Sequence, residues 1–132
     1  MLVQFSTDKT VSEAAVALQA AVQANHFGIM HVHNLKASMA DKGVDFAREC
    51  LIFEVCHPQQ AKLVLEQNIS VSAALPSRIS IYEKGGRTVL AAVRPTTLLA
   101  MFRSPQLESV AEDVENTILE IMKEAASARF DL

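Results

Sequence analysis

Residues 78–93 read RISIYEKGGRTVLAAV, two alternating or apolar runs, Arg78 to Glu83 and Thr88 to Val93, around Lys84-Gly85-Gly86-Arg87. A Gly-Gly pair between two such runs predicts a tight hairpin, because glycine accepts the positive φ angles that two-residue hairpin turns require. A hairpin forces at least one antiparallel pair, which argues against a purely parallel, doubly wound sheet. Working outward, Pro105 opens a long helix in which Leu107, Val110, Ala111, Val114, Ile118, Ile121 and Met122 form one stripe. Upstream, Pro58 suits the first turn of a helix that carries Ala61, Leu63, Val64 and Leu65 and stops at Asn68.

Toward the amino end, Ala47 to Cys56 is strand-like, with Glu49, Leu51, Phe53 and Val55 facing the core and Arg48, Cys50, Ile52, Glu54 and Cys56 facing away. Ile29 to Leu35 reads as another strand, Ile29, His31, His33 and Leu35 on one side and Met30 and Val32 on the other; Lys36 to Lys42 then makes about two helical turns closed by Gly43. Thr10 and Glu13 have capping-box spacing, ahead of an apolar face of Val11, Ala14, Ala15, Leu18, Ala21 and Val22 that Phe27-Gly28 brings to a stop. Met1 to Phe5 is a first strand that ends in a turn at Ser6, Thr7 and Asp8. The expectation is one α+β domain over residues 1–132: a single mainly antiparallel sheet, two long helices packed on one face, and short helices in the connections. The opposite face is left to the middle helices or to another subunit.

The chain has 132 residues, half of them hydrophobic and a fifth charged, with 12 Lys and Arg against 15 Asp and Glu. That balance excludes disorder and collagen-like repeats and carries no basic footprint for nucleic acid. Residues 105–132 hold seven acidic and two basic side chains and the preceding 104 hold eight and ten, which reads as a solvated outer helix face. No apolar run is long enough to span a membrane, and Met1 to Ser6 has no signal-peptide character, so the expected location is cytoplasmic.

Cys56-His57-Pro58 places a thiol where a strand meets a helix start, and free amides and the helix dipole there favour a thiolate. The structural alternative is that Cys56 is a small buried hydrophobe and His57 a polar helix-start residue. Cys50 and Cys56, six residues apart on one strand, are roughly 20 Å apart, far beyond the ~4.4–6.8 Å of a disulfide. His31 and His33 share a strand side, and an antiparallel neighbour would bring Cys56 toward them, making a candidate zinc set. Two histidines on a sheet face also occur without metal. His26 belongs to a helix end. Arg78, Tyr82 and Glu83 either line a polar pocket beside Cys56 or are cross-strand partners. Phosphate-loop, nucleophile-elbow, Cys-x-x-Cys and zinc-protease motifs are absent from the sequence.

His33-Asn34-Leu35-Lys36, Lys42-Gly43-Val44-Asp45, Glu54-Val55-Cys56-His57-Pro58, Leu75-Pro76-Ser77-Arg78-Ile79, Ile81-Tyr82-Glu83 and Arg94-Pro95 together resemble domain-of-unknown-function family 302 over about residues 1–127. The resemblance implies a small α+β domain, often dimeric, with no established activity or cofactor. Its Glu-Val-Cys-x-Pro motif falls on Glu54, Val55, Cys56 and Pro58, and its Tyr-Glu pair on Tyr82 and Glu83. Members often carry Leu-Pro-Cys-Arg where this chain has Ser77, so a two-thiol mechanism lacks its second sulfur here.

Three functions are thus in view. The first is a cytosolic, dimeric, non-catalytic binding or accessory domain for a small molecule or thiol, with a pocket around Cys56 that draws on His33, Glu54, His57, Ser77, Arg78, Tyr82 and Glu83. The second is single-cysteine redox or sulfur-transfer chemistry with Cys56 as the catalytic nucleophile and His33 or His57 moving its proton. The third is zinc binding by His31, His33 and Cys56.

Overall fold

The structure, a computed structural model, describes residues 1–127; the end of the predicted last helix, residues 128–132, lies outside them. The elements are β1 (Leu2–Thr7), α1 (Val11–Ala24), β2 (Gly28–Asn34), α2 (Leu35–Asp41), β3 (Cys50–Cys56), α3 (Pro58–Gln67), a 3-10 helix (Ile69–Ala74), β4 (Ser77–Lys84), β5 (Arg87–Val93), α4 (Pro95–Ala100) and α5 (Pro105–Ala126). The strands form one five-stranded sheet in the order β1-β5-β4-β3-β2, antiparallel throughout. The fold is α+β, as expected.

Local chemistry accounts for most boundaries. Gly85 and Gly86 turn the β4–β5 hairpin with φ of 60° and 78°, and Lys84 pairs with Arg87. The capping box at α1 forms reciprocally, with Glu13 N donating to Thr10 Oγ1 at 3.1 Å and Thr10 N to Glu13 Oε1 at 2.9 Å. The stop after α1 differs from expectation: the left-handed residue is His26, with φ 63°, while Gly28 already opens β2. β1 also runs past Phe5, because Ser6 and Thr7 find partners in Val89 and Thr88. β3 begins later than predicted, at Cys50. Two elements, the 3-10 helix and α4, join the predicted order.

α1 and α5 pack on each other and on one face of the sheet. Their Leu18, Val22, Ile118, Ile121 and Met122 meet Phe53, Val55, Ile79, Ile81 and Leu90 in the main core. A second cluster, Val64, Val71, Leu99, Leu107 and Ala111, joins α3, the 3-10 helix and α4 to the first half of α5. α3 and α4 therefore gather on α5, while α2 stays beside β2 and β3. The far side of the sheet carries the row Gln4, Ala91, Ser80, Ile52, His33, and at its β1 edge Leu2 and Val93 are 56% and 45% exposed.

The start of α4 has no side-chain cap of its own; α5 supplies one. Glu115 Oε1 accepts from Thr96 N at 3.2 Å and Thr96 Oγ1 at 2.6 Å, and its Oε2 from Arg94 at 3.3 Å. Burial by itself pushes this carboxyl up, but the Thr96 bonds and the Arg94 charge outweigh it and hold Glu115 below the usual carboxylate range. A carboxyl whose folded value lies below its unfolded value adds stability above the unfolded value, and that stability is lost as pH falls through the folded one. Glu115→Ala should lower urea stability by about 1–3 kcal/mol at pH 7, and the gap from wild type should close below about pH 4. A gap that does not change with pH would show that the carboxylate's charge plays no part.

Candidate functional site

Cys56 ends β3, and His57 is the N-cap of α3, its Nδ1 accepting from Gln60 N at 3.3 Å. The His57 ring stands edge-on to Phe27, centroids 5.6 Å apart. Across from them the chain enters β4 at Ser77, after a cis Leu75–Pro76 bond; Ser77 opposes Val55 and lines the same slot as Cys56. These groups open onto a narrow slot with about 40 Å³ of free volume. Its walls come from both cores: Phe27 and Val55 belong to the main cluster, Val64, Leu75 and Leu99 to the second, and the α5 side chains Val110 and Val114 pack one against each. The slot is a seam between the two cores.

The lining is mostly apolar. Its polar atoms come from Cys56, His57, Gln60 and Ser77, and Gln60 Oε1 is buried with no hydrogen-bond partner. Wider hollows exist near the β1–α1 turn, one of about 640 Å³ bordered by Asp8, Lys9 and Arg87. Their polar groups are already used: Arg87 pairs with Asp8 at 3.3 Å and Lys9 Nζ donates to Ala125 O at 2.8 Å.

The residues expected around Cys56 divide into three groups. Cys56, His57 and Ser77 line the slot. His31, His33, Glu54 and Arg78 sit together on the open face of the sheet: the two imidazole centroids are 4.4 Å apart, and Glu54 Oε2 lies 3.3 Å from His33 Nε2 and 3.6 Å from Arg78. Tyr82 and Glu83 lie further along β4, where Tyr82 OH accepts from Gln4 at 3.1 Å and Glu83 Oε1 from the Glu49 amide at 3.0 Å; both are cross-strand partners there. A bulge between Ile29 and His31 resets the β2 alternation, so Ile29 opposes Val55 and His31 opposes Glu54. Ile29 therefore packs on the core while both histidines face outward, which corrects the single-sided set predicted for β2. Cys56 opposes Gly28, at the far end from the histidines. Among the described residues no group of three or more His, Cys, Asp or Glu is arranged to hold a metal ion.

The separation of the two cysteines along β3 holds, and the expectation of a thiolate at Cys56 changes. Both cysteines are free, and burial pushes the Cys56 thiol above its ordinary value; at Cys50 burial acts the same way and outweighs the opposing charge of Arg48. One of the helix-start amides that were to favour a Cys56 thiolate, that of Gln60, is taken by His57 Nδ1. Sequence reasoning missed Gln60, Leu99, Val110 and Val114. Gln60 is three residues from the cap in an ordinary helix start, so only the tertiary packing reveals that its amide turns inward.

Residues 3–125 match the family described as Domain of unknown function DUF302. The chain is similar to an uncharacterized conserved DUF302 protein from Bacillus stearothermophilus, known from a crystal structure, at 27% identity and a TM-score of 0.89, over 94% of this chain and 97% of that one. No curated protein matches. A half-buried thiol with a raised pKa should alkylate slowly with iodoacetamide at pH 7, its rate still climbing above about pH 8.5. A rate plateau near neutrality at Cys56, measured in Cys50→Ser, would contradict the environment described.

Proposed function

The chain belongs to the DUF302 family, and from that footing we propose that it is a small non-catalytic binding or accessory domain whose ligand enters the slot beside Cys56. The observation that carries this reading is the slot itself, a mostly apolar seam whose polar lining residues, Cys56, His57, Gln60 and Ser77, come from three element ends. Free Cys50 and Cys56 suit a reducing compartment such as the cytosol. Among the described residues no helix is long and apolar enough to cross a membrane.

Single-cysteine redox or sulfur-transfer chemistry has weaker support. Its nucleophile would need a depressed pKa, and burial moves Cys56 the other way. Zinc binding has less support, because among the described residues no group of three or more His, Cys, Asp or Glu is arranged to hold a metal ion.

A second copy of the chain is the partner we propose for the open sheet face. Leu2 and Val93 are exposed at its β1 edge, and Glu54 and Arg78 supply a charged margin of both signs. Val93→Arg should shift the mass measured by sedimentation from dimer to monomer without changing the circular dichroism spectrum; a wild-type monomer at micromolar concentration would remove this part of the reading.

The ligand site is tested by a thermal-shift screen of neutral metabolites and thiols on wild type and on Ala61→Leu, which narrows the slot. A ligand at about a hundred times its Kd adds about 2.7 kcal/mol of stability, several degrees in Tm. The expected result is a shift in wild type that Ala61→Leu abolishes. Shifts of equal size in both proteins, or in neither, would refute the site.

A further inference from the structure

Strand alternation turns the first two residues of β4 to opposite sides of the sheet. Ser77 borders the slot, and Arg78 borders a second hollow, of about 320 Å³, at the margin of the open face. Leu75, Pro76 and Leu98 border both spaces. The rest of the hollow is lined by Ala73, Ala74 and Val93, so Arg78 brings the one charge among the described residues around it. Its side chain is 65% exposed and lies 3.6 Å from Glu54 Oε2, outside the ~2.7–3.2 Å of a hydrogen bond. Among the described residues the guanidinium donates no hydrogen bond. The geometry points to a second binding site, independent of the slot, for a small aliphatic monocarboxylate: its carboxylate pairs with Arg78 and its chain lies on Leu75, Pro76 and Leu98.

Size, charge and apolar surface each restrict the ligand. The hollow falls within the ~300–1,000 Å³ of small-molecule sites. A guanidinium is a planar fork whose parallel N–H groups match the two oxygens of a carboxylate. Glu54 beside it offsets part of the positive field, so a single negative charge is accepted while a dianion such as phosphate is repelled. A cationic ligand meets no opposite charge, because Glu54 is 18% exposed and lies outside the lining. The apolar border rewards a chain: each methylene taken out of water tightens binding by up to about fourfold.

The test is a titration of the full chain with pentanoate, 1-pentanol and acetate, followed by NMR shifts of the amides of Ala73, Arg78 and Val93, which border the hollow and not the slot. Pentanoate should bind with a Kd about threefold below that of 1-pentanol and at least about fivefold below that of acetate. Raising the salt to about 0.5 M should remove its advantage over 1-pentanol. Arg78→Gln should do the same at low salt, and Ala61→Leu, which narrows the slot, should leave the pentanoate Kd unchanged. If Arg78→Gln does not fold, the salt comparison decides. Pentanoate binding no tighter than 1-pentanol or acetate, or an advantage that survives Arg78→Gln, overturns the ligand class. Loss of pentanoate binding in Ala61→Leu, or silence of the three amides toward every compound, overturns the hollow as a site.

Discussion

Helix α5 has to close two apolar clusters at once, and the rest of the molecule is arranged around that demand. Its 22 residues span about 33 Å at 1.5 Å per residue. Ile118, Ile121, Met122 and Ala125 complete the core between the sheet and α1, while Leu107 and Ala111 complete the cluster with α3, the 3-10 helix and α4. Loss of one such buried aliphatic side chain typically costs about 2–5 kcal/mol, so neither half of the helix can leave its cluster. The clamp from Glu115 to Thr96 and Arg94 fixes α4 to the same helix near the changeover.

Two clusters that share one helix need not meet flush. Val110 packs with the second and Val114 with the first, one turn apart on the same face, and the gap between them is the slot. Its chemistry follows from what lies at the seam. β3 ends there, so Cys56 arrives as the last strand residue. α3 begins there, so His57 caps it and Gln60 turns in. β4 begins there, so Ser77 arrives as its first residue. The site owes its residues to three element ends brought to one place, and the apolar wall to the two cores beside them.

How much of this was readable from the chain depends on how local each cause is. The β4–β5 hairpin rests on Gly85 and Gly86, the α1 start on Thr10 and Glu13, and the α3 bounds on Pro58 and Asn68, all determined within a few residues. The fold class followed from these. The end of α1 was misplaced by two residues because His26, not Gly28, takes the left-handed conformation, which glycine usually supplies. The bulge at Met30 left no mark in a Met-His-Val-His run that alternates well, and it sent His31 and His33 outward. α4 is six residues long, too short for a helical period to show, and Pro95 was its single signal. Within the site, the Cys56-His57-Pro58 motif pointed to the correct strand–helix junction, and Ser77 joined it there. Glu54, Arg78, Tyr82 and Glu83 belong to the same motifs and lie elsewhere on the sheet, because neighbours along a strand alternate faces and their cross-strand partners, not their motif, decide what they touch.

The central claim is that the two clusters leave a permanent, mostly apolar gap where α5 passes from one to the other. Xenon enters small apolar cavities and is located directly in a crystal exposed to the gas under pressure. The account predicts a xenon atom in contact with Val64 and Val114, between α3 and α5. Crystals that take up xenon elsewhere, or not at all, with Val110 and Val114 packed tightly against α3, would contradict it.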